Sequence, residues 1–442
     1  MSFIQSMDDI AELSAFKRFT EYMMMDKDFR SLYDSNPKAA LESVGLDLAL
    51  VRTETGGDDT HAAMLYDNFV KKKLKMRDDV REFGTPSDAQ FAKWRERQIK
   101  RCYMHFPKEQ TDTIVHISIG YELSSGCSVG CKFCGLNAGR LTKVFRADDE
   151  NKNLWAGVMD AATKIIGKAA GEGMCYYATE PLDNPDYEYF MDDWKLRFGK
   201  HCQITTAAAT RDVERTRKIL ARLNPADETV FRFSIKSIEE FRTIMDSFSP
   251  EELLLVELLP QFEEAPGNAF AKAGRNVEDE DYSGSISCIS GFLVNMSEKT
   301  IRLLTPVSSS KRFPTGQVEV MKESFTDAAD FEEKLRTMIS KMKTILSPKD
   351  KLKFYDYLEC GFEKEDTCLI YNTVGNAIRI ENPILRPFME KACDMLKEGG
   401  HTRHEIGEAM AAIDEKVDPV SIYSIINKLW NSGVIVDNQL FG

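Results

Sequence analysis

The stretch Gly126-Cys127-Ser128-Val129-Gly130-Cys131-Lys132-Phe133-Cys134 carries three thiols in the spacing Cys-x3-Cys-x2-Cys. Three thiolates on one short loop hold three irons of a [4Fe–4S] cube, which takes four ligands in all, and leave one iron open to a small molecule. A zinc knuckle needs a fourth protein ligand close by. Downstream no His or Cys follows until Cys175, and the nearest upstream candidates are Cys102, His105 and His116. The spacing therefore points to a cluster rather than to zinc or to unconnected buried thiols.

Such a loop must be positioned by rigid elements, and the flanking sequence supplies them. Thr113 to Tyr121 reads as a strand immediately before the loop, and a helix follows over Asn153 to Gly171. Met174 to Thr179, Gln203 to Ala208, Val230 to Ile235 and Leu253 to Leu259 read as four further strands. Amphipathic stretches over Asp186 to Phe198, Val213 to Leu223 and Ile238 to Phe248 read as helices. Strands alternating with helices predict an α/β fold with a parallel sheet. Ser285 to Val294 and Thr300 to Pro306 then read as a β-hairpin, whose exposed edge could pair with an extended peptide. Helical patterns recur over Phe331 to Leu346 and Leu352 to Leu358.

A cysteine triplet placed just after a first strand resembles the radical S-adenosylmethionine (SAM) enzymes. That resemblance implies a partial (β/α)6 barrel with its site at the C-terminal strand ends. It also implies one [4Fe–4S] cluster on Cys127, Cys131 and Cys134, with the methionyl part of SAM on the open iron. Phe133 matches the aromatic position that lies beside the adenine. Tyr176-Tyr177-Ala178-Thr179-Glu180-Pro181-Leu182 stands where these enzymes carry Gly-Gly-Glu-Pro. Here Ala178 and Thr179 replace the glycines, while Glu180 keeps its place. The resemblance gives Thr179 and Glu180 the SAM amino group, which needs a partner once desolvated. Thr206, Arg232 and Ser234 are candidates for the carboxylate and ribose, although the latter two also fit ordinary strand alternation.

Four strings, TIVHISIGYELSSGCSVGCKFCGLNAG, GMCYYATEPLDNPDY, IRLLTPVSSSKRFPTG and YLECGFEKEDT, together resemble the radical SAM peptide epimerases of the proteusin (polytheonamide-type) family. The likeness runs from about Ile114 to Ile380. It implies conversion of L- to D-residues in a ribosomally synthesised precursor peptide. A 5′-deoxyadenosyl radical removes the Cα hydrogen, and a cysteine thiol on the opposite face returns one. Cys360, in Glu359-Cys360-Gly361, best fits that donor and Cys368 is the next candidate, although a cysteine taken alone is usually a buried small hydrophobe. The implied partners are the leader and core of the precursor and an electron donor such as flavodoxin or ferredoxin.

Composition sets the remaining bounds. The 442-residue chain is too long for one ordinary core. Its segments divide into a helical, leader-peptide-like region (1–52), a helical linker region (53–110), the barrel and hairpin (111–310), an extension with the candidate donor (311–382) and a winged-helix-like end (383–442). With 43% apolar and 29% charged residues it has the balance of a globular protein. No apolar run reaches the roughly 18 to 20 residues that span a bilayer, and the N-terminus lacks a signal-peptide pattern. The expectation is a cytoplasmic protein with no membrane partner. A formal net charge of −13 argues against general nucleic-acid affinity. Phe16 to Leu46 reads as short helices broken at Asn36-Pro37, and it looks like a nitrile-hydratase-like leader or a helical cap. Two alternatives stand beside epimerisation. One is a radical SAM peptide cyclase forming thioether or carbon–carbon links. The other is an iron–sulfur redox sensor acting on DNA through the C-terminal helices.

Overall fold

A computed structural model describes residues 6–52, 58–223, 229–262, 272–277, 280–364, 367–372, 375–381 and 386–441. Residues 53–57 of the expected linker region and part of the string YLECGFEKEDT lie outside these residues. The fold is mixed α/β.

The N-terminal quarter is helical. Met7–Met25, Lys27–Ser35 and Pro37–Ser43 follow one another with Asp26 and Asn36 as shared caps, each side chain accepting backbone N–H groups of the helix it opens. Tyr22, Phe29 and Leu41 are buried in the main core, and the Tyr22 ring meets that of Phe241 at 5.2 Å. Asp26 also accepts a 2.8 Å hydrogen bond from Arg242. The N-terminal helices thus pack on helix Ile238–Ser247. In helix His61–Phe83 the basic run is largely paired, with Lys71 on Asp67, Lys73 on Glu257 and Lys75 on Asp79.

Two sheets form the centre. Strand Ile117–Glu122 pairs in parallel with Ile289–Asn295, which continues antiparallel to Thr300–Pro306 and then Gln317–Ser324. Thr205–Thr206, Phe231–Ile235 and Val256–Pro260 form a parallel three-stranded sheet. Met174 links the two: its carbonyl accepts from Tyr121, and it forms a parallel bridge with Gln203. Helices Asp149–Ile166, Tyr187–Phe198, Val213–Leu220 and Ile238–Ser247 follow the successive segments. Their apolar faces meet Phe231, Phe233 and Ile235 in the main core.

Three expectations change. Met174 to Thr179 is not a strand, because the Ala178 amide goes to the Glu122 carboxylate rather than to a ladder. The hairpin offers no open edge of its own, since Ile289–Asn295 is paired on one side and Thr300–Pro306 is covered by Gln317–Ser324. Leu352 to Leu358 is not a helix. Lys351–Leu352 pairs with His401–Thr402, Phe354 bridges Ile435, and a strand begins at Leu358. The three-residue apolar spacing there arises because Leu352, Tyr355 and Leu358 are all buried in an extended and turning segment.

The C-terminal part has its own apolar core. An antiparallel meander of Leu358–Lys364, Thr367–Asn372 and Ala377–Glu381 packs with helices Arg386–Glu398, Arg403–Ala411 and Pro419–Asn431. After the last of these helices, Ile435 forms a single antiparallel bridge with Phe354.

Candidate functional site

The cysteine loop begins beyond Glu122 at the end of its strand and closes on itself. Cys127 donates its amide to the Gly139 carbonyl (2.9 Å), and Cys134 Sγ accepts the Ala138 amide (3.4 Å). Gly126 has φ +81°, and a Cβ there would lie 2.1 Å from the Arg140 carbonyl oxygen, so only glycine fits. Gly274, at φ +60°, brings its backbone against Cys134, where a Cβ would stand 2.4 Å from that residue's carbonyl oxygen. Arg275 donates to the Cys131 carbonyl (3.1 Å) and to the Ala138 carbonyl, tying the loop to the chain near 275.

Glu180 is buried beside this loop's anchor. It accepts hydrogen bonds from the Thr206 hydroxyl (2.6 Å), the Ala207 amide (2.9 Å) and the Leu182 amide (3.1 Å). Burial raises its carboxyl above the ordinary range, while these donors oppose the rise. Three residues on, Asp183 accepts from the Ser128 amide (2.8 Å), the Ser128 hydroxyl and Arg211 (2.7 Å). One short turn, Pro181–Asp183, therefore carries the acid at Glu180 and clamps the cysteine loop at Ser128. Neither Asp183 nor Arg211 was anticipated from sequence. The only signal was an acid three residues after Glu180.

Burial shifts two of the loop thiols. Burial raises the Cys127 thiol, and backbone N–H groups of Val129 and Gly130 counter it. Cys131 is pushed up to about 11 by burial and then by the charge of Cys127, against the pull of Lys236. Mutual repulsion of this kind is relieved when a metal cluster takes the thiolates. The upstream zinc candidates do not join them. Cys102 lies against Arg101 and the Pro306 carbonyl, and both His105 ring nitrogens are engaged by Tyr357 and Ser308. His116 is buried on Ser290.

Of the remaining expected residues, Thr206 meets Glu180 directly, and Phe133 and Thr179 are half-buried nearby in sequence. Arg232 and Ser234 share the strand face opposite Phe231, Phe233 and Ile235. Arg232 is held there by Glu257 (2.8 Å), which also takes Lys73 (2.7 Å). Burial alone would raise the Glu257 carboxyl, but Arg232 and Lys73 overcome it and hold it at about 2. Arg232 thus has its own counter-ion, and so does Lys236, just past the strand, which donates to Glu240 and to the Ala207 carbonyl.

Cys360 lies elsewhere, in strand Leu358–Lys364, packed against the second core with its Sγ 3.3 Å from that of Cys368. Outside the loop, only Cys288 and Cys360 are half-buried; the other five thiols are buried. Cys288 packs in the apolar group that holds Tyr177 and Ala178 beside Ile117 and Leu304, so it belongs to the central sheets. Burial raises its thiol, which keeps it protonated at neutral pH.

No helix among the described residues is long and apolar enough to cross a membrane. No family model matches the chain. Among solved structures, that of BtrN in complex with AdoMet and 2-DOIA superposes with a TM-score of 0.33 at 13% identity, covering 52% of this chain and 87% of BtrN. A likeness that slight carries no argument. The chain is 31% identical to the uncharacterized protein y4wI of Sinorhizobium fredii, and the match covers 96% of this chain and 88% of y4wI. The chain belongs to the y4wI family.

Proposed function

We propose that this protein is a radical SAM enzyme that epimerises residues of a ribosomally made peptide, with a partial barrel built on the two central sheets. One observation carries the cofactor assignment: the Cys127, Cys131 and Cys134 loop is clamped through Ser128 and Asp183 to the same turn that Glu180 opens, and Glu180 is bonded to Thr206 on the next strand. When bound, the cluster and SAM supply a hydrogen-abstracting radical. The three thiolates hold the cluster, and Glu180 offers its remaining lone pair to the SAM ammonium. Lys236, which donates to the Ala207 carbonyl next to Thr206, is a cation suited to the SAM carboxylate. Phe133 on the loop is the adenine contact that the radical SAM resemblance implies.

Epimerisation further requires a thiol that returns hydrogen to the face opposite abstraction, held within reach of the peptide Cα. Cys360 is the donor the family resemblance implies. The placement of Cys288 favours it as a second candidate, because it is half-buried, protonated and packed against the segment that leads into Glu180. Cross-linking of the peptide is the competing reaction on the same site, and it removes two hydrogens instead of exchanging one.

The cofactor assignment is tested by anaerobic reconstitution. The full chain should take up about four irons and four sulfides, and with a low-potential reductant it should cleave SAM to 5′-deoxyadenosine. The variant with Cys127, Cys131 and Cys134 all changed to Ala should do neither. SAM cleavage that survives in that variant would refute the assignment.

A further inference from the structure

Three cysteines that are distant in sequence meet in the C-terminal core. Cys360 lies in strand Leu358–Lys364, Cys368 in the neighbouring strand Thr367–Asn372, and Cys393 in helix Arg386–Glu398. Cys360 stands opposite Ile370 and Cys368 opposite Phe362, so the two cysteines are diagonal neighbours on one face of the antiparallel pair. The helix packs on that face and sets the Cys393 Sγ 2.7 Å from Cys360 Sγ and 4.0 Å from Cys368 Sγ. The Cys360 to Cys368 separation is 3.3 Å. Among the described residues these three are the one group of His, Cys, Asp or Glu whose ligand atoms all lie within 4.8 Å of one another.

We propose that Cys360, Cys368 and Cys393 bind a single thiophilic divalent metal ion, of which Zn²⁺ is the best fit. Separations of 2.7, 3.3 and 4.0 Å leave a common point about 2.3 Å from all three sulfurs, the zinc–thiolate distance, and tetrahedral binding would open the two shorter separations toward about 3.8 Å. A cubane instead puts each thiolate on a different iron and spreads the sulfurs. The loop cysteines, unlike these three, are not gathered within that 4.8 Å limit. The ligand set is soft, as zinc and other thiophilic ions prefer. Cys368 and Cys393 are buried while Cys360 is half-buried, so the fourth coordination position opens on the Cys360 side, to water or to a substrate group. At that rim Lys397 donates to Glu359, next to Cys360. The ion would pin the helix to the meander, and three protein ligands with an open fourth position is the arrangement of a zinc site that also takes water or a substrate group.

This inference rests on geometry and not on the proposed reaction. It bears on that reaction in one respect: a metal-bound thiolate has no S–H to give. With the ion in place, Cys360 is a ligand and the hydrogen donor falls to Cys288.

The test uses the full-length variant with Cys127, Cys131 and Cys134 changed to Ala, so that iron on the loop does not interfere. Protein grown with zinc should carry about one zinc per chain by elemental analysis, and its X-ray absorption should show three sulfur neighbours near 2.3 Å. Replacing zinc with Co²⁺ should produce the intense near-ultraviolet thiolate-to-cobalt absorption. Cys368→Ser and Cys393→Ser should each weaken zinc retention against a competing chelator at least tenfold. If either variant fails to fold, the absorption spectrum of the intact triad still decides. Fewer than three sulfur neighbours overturns the proposal. So does an intact mass two units low under non-reducing conditions that maps to a Cys360–Cys393 disulfide, or iron and sulfide bound in place of zinc.

Discussion

The Thr206 hydroxyl donates a 2.6 Å hydrogen bond to the Glu180 carboxylate and joins the strand Thr205–Thr206 to the turn that Glu180 opens, Pro181–Asp183. The acid is buried, yet its two oxygens receive three donors in all. A carboxylate satisfied in this way is held in place before any ligand arrives, and one more donor completes it.

Changing Glu180 to Gln places an amide group among those donors. SAM affinity, measured by equilibrium dialysis on the reconstituted protein, should fall about 10- to 100-fold, the worth of one charge-assisted hydrogen bond. Because burial raises the Glu180 carboxyl, SAM binding should also weaken as pH falls, through protonation of that group, and E180Q should lose this dependence. Equal pH dependence in the two proteins would remove Glu180 from the ammonium site.

Gly126→Ala forces a Cβ against the Arg140 carbonyl at a left-handed φ. Gly274→Ala does the same against Cys134. Both variants should keep native helix content by circular dichroism while losing most of their iron, because the loop is displaced and not the core. Full iron loading in either would show that the loop's backbone contacts do not hold the ligand set.

Glu257 lies between Arg232 and Lys73 with its carboxyl at about 2, below its ordinary 4.5. A depressed acid stabilises the fold above its unfolded value and loses that contribution as pH falls from 4.5 toward 2. Glu257→Gln should therefore cost on the order of 2–3 kcal/mol at pH 7, with the gap to the parent protein narrowing below pH 4.5. Thermal unfolding followed across that range measures it, and a gap that does not change with pH contradicts the ion-pair account.

Arg97 and Asp437 form a buried ion pair, and the Arg97 guanidinium stacks 3.7 Å above the Trp430 ring. They tie helix Ala89–His105 to the C-terminal core. Asp437→Asn strands a buried charge and should destabilise by about 3–5 kcal/mol. Limited proteolysis should then release the C-terminal part faster than in the parent protein.

The cysteine loop stood out because its three cysteines lie within one short stretch, Glu180 because it holds the acid's place in a Gly-Gly-Glu-Pro-like string, and Thr206 because it ends a strand pattern. The four helices behind the central segments were legible from periodicity. What escaped depended on tertiary placement. Cys368 and Cys393 have no motif spacing, and only strand pairing and helix docking bring them to Cys360. The Ser128–Asp183–Arg211 clamp joins three separate loops. Strand Gln317–Ser324 was missed because its alternation is broken by exposed charge, and Met174 to Thr179 read as a strand although its polar groups are spent on side chains such as Glu122.

The central claim is tested most directly by turnover in deuterium oxide. The reconstituted enzyme, SAM, a low-potential reductant and the cognate precursor peptide are incubated anaerobically, and the digested peptide is read by tandem mass spectrometry. The account predicts a gain of one mass unit at each modified residue, D-configuration at those residues after hydrolysis, and loss of both, with SAM cleavage intact, when the donor thiol Cys288 is changed to Ala. A loss of two mass units without deuterium uptake would contradict it and make the protein a cross-linking enzyme.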